Sequence, residues 1–371
     1  MLAGLIRPLY SHEEFLATRR FPAFDGIRAL AALMVVAFHF AGPRGAVLSG
    51  WLGVHLFFVL SGFLITTLLL REETANDRIS LADFWIRRVF RIVPAYYVVL
   101  AAIVVLIAIN GHLTLAGVPQ SIGWFVTLNP DLAPTTMGFT PAWTIGIEQK
   151  FYLVWPVIAF LLIARIRFMR PVIWALALCT LLALTLMVSS SFVHYVVILF
   201  GCGLAILMHS AASFRVARYL ATRLAGVIGL AGLIIVLPLA PTISAHFHGD
   251  AATILIFGFF AAVALPGICA TTFTSRVLSA PPLRWMGDRS YSIYLLQVLA
   301  GELVVGVVPG GPSLRTFIAV VIVVLILADV LHRWVELPGI RLGKRLVDRR
   351  ARSRGRAPAL TPLPTSDAAT S

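Results

Sequence analysis

The stretch Phe24-Asp25-Gly26-Ile27-Arg28-Ala29-Leu30-Ala31-Ala32-Leu33-Met34-Val35-Val36-Ala37-Phe38-His39 sets how the rest of the chain is read. It is an apolar helix of Ala, Leu, Val and Met with a guanidinium near one end and an imidazole near the other. Eleven steps of 100° make about 1100°, so Arg28 and His39 fall within about 20° of one face, roughly 16 Å apart along the axis. Ionisable groups are costly in an apolar run and need a partner or a task there.

Working outward, the 371 residues are 59% hydrophobic and 12% charged, with a mean hydropathy of +0.93. Soluble domains hold about 45–50% apolar residues, so this composition describes an all-α, multi-pass membrane protein. The net charge of +14 does not indicate nucleic acid, because the Lys and Arg gather in short segments between apolar runs, as cytoplasmic loops do. Cys179, Cys202 and Cys269 each sit in an apolar run without a C-x-x-C spacing, which indicates packing residues rather than a disulfide framework or a metal site. No small-residue cleavage site follows the first apolar run, so that run reads as a retained span.

Runs of about 20 residues suited to crossing a bilayer fall at 25–42, 50–70, 93–109, 143–164, 171–188, 193–209, 224–240, 251–270, 290–308 and 314–332, giving ten spans. The 110–142 segment has room for a re-entrant turn around Trp124-Phe125-Val126. With both termini cytoplasmic, all but Arg44, Lys150 and Arg315 of the 30 Lys and Arg fall on the inner side. That asymmetry gives an N-in, C-in protein of the plasma or inner membrane. The organisation is then a cytoplasmic segment over 1–24, a membrane domain over 25–336, and a basic tail over 337–371 read as disordered and drawn to lipid headgroups.

Counting 1.5 Å per residue along each span puts His39, His55 and Glu148 in one layer in the outer part of the membrane, with Glu302 near the same level. At the inner face Arg28, the Arg87-Arg88-Val89-Phe90-Arg91 cluster, Arg284 and Arg289 form a second layer. Guanidinium forks suit phosphate, with which they make bidentate, charge-assisted bonds. Plainer readings stand beside these: the arginines anchor topology, His39 and His55 are satisfied core histidines, and Glu148 pairs with Lys150 or another span.

Four ordered motifs resemble the membrane acyltransferase-3 family over most of the chain. They are Asp25-Gly26-Ile27-Arg28 with His39 as Arg-x10-His, Gly50-Trp51-Leu52-Gly53-Val54-His55-Leu56-Phe57-Phe58-Val59-Leu60-Ser61-Gly62, Arg88-x-x-Arg91, and Trp143-Thr144-Ile145-Gly146-Ile147-Glu148 running to Phe151-Tyr152. Weaker echoes are Ser290-Tyr291-Ser292-Ile293-Tyr294-Leu295 and Glu336-Leu337-Pro338. Departures occur at His55, where many relatives carry Asp, at Thr144 in place of Ser, and at Gln297, where a His is common. Gln297 can donate and accept hydrogen bonds but cannot carry a proton at neutral pH.

The resemblance implies an integral-membrane O-acyltransferase using cytoplasmic acyl-coenzyme A, by default acetyl-coenzyme A, as co-substrate, with no bound cofactor and no metal. Arg88, Arg91 and Arg28 would take the donor phosphates, and His39 would act as general base with Glu148 supporting it. Asp25, His55, Ser61, Trp143, Tyr152, Tyr294 and Gln297 are candidate supporting residues. The acceptor would be a carbohydrate hydroxyl, extracytoplasmic or lipid-linked. Some relatives carry an extracytoplasmic esterase-like domain, which here would have to be a separate partner protein. The competing class is a transporter or flippase, since many spans with intramembrane charges also describe a substrate path. A membrane scaffold related to the family is the third.

Overall fold

The computed structural model describes residues 2–163, 166–270, 272–308 and 311–353. The helices are α1 (Pro22–Phe40), α2 (Gly53–Asn76, entered through a 3-10 turn at Gly50–Leu52), α3 (Leu81–Ile109), α4 (Val118–Val126), α5 (Ala142–Pro156), α6 (Arg170–Met187), α7 (Val193–His209), α8 (Arg223–His246), α9 (Ala251–Cys269), α10 (Pro281–Asp288), α11 (Ser290–Val305), α12 (Leu314–Leu331) and α13 (Leu337–Ser353), with short helical turns between them. Among the described residues nine helical stretches are long and apolar enough to cross a membrane. The fold is an all-α, multi-pass helical one.

Three expectations change. The ninth span, expected at 290–308, is the 16-residue α11, with a rise of about 24 Å, a shorter apolar helix than the nine long ones. The span expected to begin at 93 belongs to a helix that begins at Leu81, capped by the Ser80 hydroxyl and passing through Pro94. The tail expected to be disordered from 337 is helical to Ser353. Its Leu, Arg and Lys residues are good helix formers, and Leu337, Gly339, Gly343 and Val347 are buried along one face. The remainder of that expectation, over 354–371, lies outside the described residues. Around Trp124-Phe125-Val126 the chain forms the short helix α4, whose last carbonyls accept from the Tyr96 and Tyr97 hydroxyls at 3.0 and 2.6 Å.

The chain divides into two compact units. The first comprises Met1–Ile79, Ile147–Gly287 and Val308–Ile318. Its centre is the α2–α7 pair, whose backbones touch because glycines face each other. A side chain at Gly62 would run into the Ile198 carbonyl, and one at Gly201 into the Val59 carbonyl. Small residues are what bring helices together in a medium that supplies no hydrophobic drive between them. Gly62→Leu is therefore expected to separate α2 from α7 and destabilise the fold by about 1–3 kcal/mol. A lower thermal midpoint of the detergent-purified variant would register it. Phe15, Phe21, Phe24 and Phe63 cluster with ring centroids 5.0–6.5 Å apart and close one end of this unit. A buried Arg170–Glu73 pair at 3.0 Å ties α6 to α2.

The second unit comprises Ser80–Gly146, Asp288–Val307 and Ala319–Ser371. Here α3 is the common partner: α13 lies along its first turns, and the Tyr291 hydroxyl of α11 donates to the Ile92 carbonyl at 2.9 Å.

Candidate functional site

At the start of α1, Pro22 occupies the first turn and Asp25 follows within it. A carboxylate there is favoured by the positive end of the helix dipole. The Asp25 carboxylate holds two guanidiniums, Arg20 at 2.9 Å and Arg28 at 3.5 Å. Glycines let neighbouring backbone close over this turn: a side chain at Gly26 would meet the Leu278 carbonyl, and one at Gly287 of α10 would meet the Asp25 carbonyl. Arg284 lies on the same α10, with a buried Nε that has no hydrogen-bond partner among the described residues. Two guanidiniums on one carboxylate leave a net positive cluster, suited to an anionic group.

Glu148 is the centre of a second cluster. Its Oε1 accepts from the Ser61 hydroxyl at 2.9 Å and its Oε2 from the Tyr152 hydroxyl at 3.0 Å. One turn further along α5, Trp155 donates to the Thr66 hydroxyl at 2.9 Å and fixes α5 against α2. Glu148, Ser61 and Tyr152 are thus brought together from two motifs far apart in sequence.

The single layer expected for His55 and Glu148 is not what the structure holds. Ser61, the partner of Glu148, stands six residues along α2 from His55, an offset of about 9 Å. A depth count along α5 that starts from Trp143 takes that residue to lie at the surface. The chain leading into α5 is instead buried, with Met137, Phe139 and Ala142 at 1%, 1% and 0% exposure.

His39 is exposed on the last turn of α1, with its ring against Phe38 and Phe40 at 5.3 and 6.0 Å. His55 is buried at 1% exposure and stacks on His194 of α7, centroids 5.4 Å apart, with Nε2 3.2 Å from the His194 Nδ1. His194 escapes sequence reading because it stands alone at the start of an apolar run, and only packing of α7 on α2 reveals its partner.

In the second unit Arg88 places its guanidinium over the Phe84 ring, 5.8 Å from the centroid, and Arg91 is half-buried on the next turn. Arg289, expected among the exposed inner arginines, is instead 2% exposed and bound to Asp329 at 2.7 Å. Asp329 also takes Arg333 at 2.8 Å. A buried trio lies beside them: Ser292 donates to the Glu336 Oε2 at 3.0 Å, and the His332 Nδ1 is 2.8 Å from the same oxygen. The i,i+4 spacing of His332 and Glu336 was a usable sequence signal; the 44 residues to Ser292 were not. Tyr294 and Gln297 are buried on α11, and neither amide atom of Gln297 has a hydrogen-bond partner among the described residues. Glu302 is exposed near the end of that helix. Trp143, at the start of α5, is half-buried.

Comparison with known proteins bears on what these clusters serve. Peptidoglycan O-acetyltransferase OatA of Listeria monocytogenes is 29% identical over 354 residues, which are 85% of this chain and 55% of that protein. YrhL of Bacillus subtilis is 30% identical over 90% of this chain and 57% of its own length. O-acetyltransferase OatA of Staphylococcus aureus is 25% identical over 88% of this chain and 58% of its own. The chain thus spans a little over half the length of the relatives it matches. No solved structure matches it. The family described as Acyltransferase domain matches residues 21–333, from the turn before α1 into the His332–Glu336 turn. Because that match takes in the Asp25–Arg28 cluster, His39, Glu148 with its two hydroxyl partners, and the Arg88–Arg91 turn, the chain belongs to the membrane acyltransferase-3 family.

Proposed function

We propose that this chain is a membrane O-acetyltransferase that moves an acetyl group from acetyl-coenzyme A to a hydroxyl of a cell-wall carbohydrate, with peptidoglycan as the acceptor. The observation that carries this reading is the alignment of 85% of the chain with a protein named peptidoglycan O-acetyltransferase. The excess of Lys and Arg in alternate connecting segments supports cytoplasmic termini in the plasma membrane, a cytoplasmic donor and an acceptor on the far side. A separate extracytoplasmic partner that carries the group onward is part of the proposal.

Chemically, the acceptor oxygen forms a new C–O bond to the acetyl carbonyl carbon and the C–S bond to coenzyme A breaks. The hydroxyl proton passes to His39 as general base, and the departing thiolate is protonated to the thiol. Imidazole suits this step because it titrates near neutral pH. Glu148, held by Ser61 and Tyr152, supplies a fixed negative charge toward the Phe24 end of α1, where Phe63 of α2 packs. That end lies roughly 16 Å or more along the axis from His39, so the support of His39 expected from Glu148 is not what this packing provides. Trp143 offers an indole face to a sugar ring.

Muropeptide mass spectrometry on cells with and without the gene is the test, with acetyl-sized mass differences expected only where the gene is present. Identical muropeptides would overturn the choice of acceptor. For the donor, the proposal assigns the phosphates to the guanidinium groups of Arg88 and Arg91. Arg88→Ala and Arg91→Ala are each expected to weaken coenzyme A binding roughly ten- to a hundredfold, the loss of a charge-assisted hydrogen bond of about 1.5–3 kcal/mol. Equilibrium titration of coenzyme A into detergent-purified protein measures it. Unchanged affinity in both variants would reduce these arginines to topology anchors.

A further inference from the structure

The helix α13 begins after residue 333, where the family match ends, and nothing above gives it a task. Its buried face, Leu337, Gly339, Gly343 and Val347, lies on the first turns of α3. Gly339 stands against the Phe90 carbonyl and the Pro94 ring, and Gly343 against the Phe90 side chain and the Ile86 carbonyl. Further along, the Arg350 Nε donates to the Asp83 carboxylate at 3.1 Å, in antiparallel register.

The stretch of α3 gripped in this way is the one that most needs gripping. Pro94 has no N–H to offer the Phe90 carbonyl, so the helix loses an internal bond at that point and is prone to bend there. Residues 81–93, with Arg88 and Arg91 among them, are therefore weakly coupled to the remainder of α3 through its own backbone. Arg88 lies about 160° around the helix from Phe90, and Arg91 about 100°. A contact that fixes Phe90 on one side thereby fixes where the guanidiniums stand on the others.

We propose that α13 is a clamp that sets the rotation and tilt of the Arg88–Arg91 turn, making Gly339, Gly343, Asp83 and Arg350 positioning residues for donor binding. The proposal rests on the donor reading given above for Arg88 and Arg91. It is tested with purified full-length Gly343→Leu, Arg350→Asp, Asp83→Arg and the charge-swapped Asp83→Arg/Arg350→Asp protein, scoring donor KM, kcat and coenzyme A affinity. Gly343→Leu is expected to raise donor KM about tenfold while kcat stays within about twofold, since the reacting groups are untouched. Each single charge change should raise donor KM several-fold, and the swap should restore it.

A merely structural role would lower the yield of folded protein and kcat together, leave KM in place, and overturn the proposal. So would single charge variants that bind donor normally, or a swap that rescues nothing. If Arg88→Ala and Arg91→Ala themselves leave coenzyme A affinity unchanged, the donor reading fails. If they weaken it and the α13 variants do not, the clamp alone fails.

Discussion

His39→Ala is expected to lower acetyl transfer by at least about a hundredfold while leaving folded protein in the membrane. The size follows from the role proposed for the imidazole: general-base catalysis contributes about 10²–10⁴-fold. The retained fold follows from its surroundings. His39 is exposed and its ring rests on Phe38 and Phe40, so truncation opens no cavity and strands no buried polar partner. Turnover with acetyl-coenzyme A, measured beside the thermal midpoint of the same preparation, separates the two effects. Turnover near the wild-type level would remove His39 from the base role.

The second large effect is expected at Glu148. In Glu148→Gln one acceptor oxygen becomes an amide donor, so either Ser61 or Tyr152 loses the bond it now makes at 2.9 or 3.0 Å. Hydrogen bonds to a carboxylate are roughly twice as strong as neutral ones, and a fixed negative charge is lost as well. A fall in kcat of about a hundredfold is expected, with a modest loss of stability, about 1–3 kcal/mol for the stranded group. Ser61→Ala and Tyr152→Phe leave the carboxylate charged with one hydroxyl still in place, so each should cost about tenfold or less. If Glu148→Gln keeps kcat within a few-fold of wild type while its thermal midpoint drops, the carboxylate is a packing element and its proposed catalytic role is wrong.

The contrast between α1 and α5 shows how far sequence reading reaches. For α1, an unbroken apolar run with polar groups three turns apart fixed a face, and the helix found over Pro22–Phe40 carries Arg28 and His39 as that spacing requires. For α5, the same counting misplaced Glu148, because counting needs a surface residue to start from and Met137, Phe139 and Ala142 put the entrance of α5 inside the protein. The start of α3 was hidden in a similar way. A proline and three arginines look like an interruption, and only the structure shows one helix running from Leu81 through Pro94 with α13 packed along that stretch.

Composition was enough to determine an all-α membrane protein, and four ordered motifs, Arg-x10-His among them, its family. These properties are additive along the chain: the cost of placing a residue in hydrocarbon, and the angle between two residues of one helix, depend on local sequence alone. Tertiary structure decided which groups share a proton or a charge. Ser61 with Glu148, His55 with His194, Ser292 with His332 and Glu336, and Arg350 with Asp83 are pairs set by how helices distant in sequence come to face one another. Rotation of a helix by one residue position, 100°, would break each pair without changing its hydropathy. That angle is fixed by glycine contacts such as Gly62 on Ile198 and Gly343 on Phe90, where two backbones approach because no side chain stands between them.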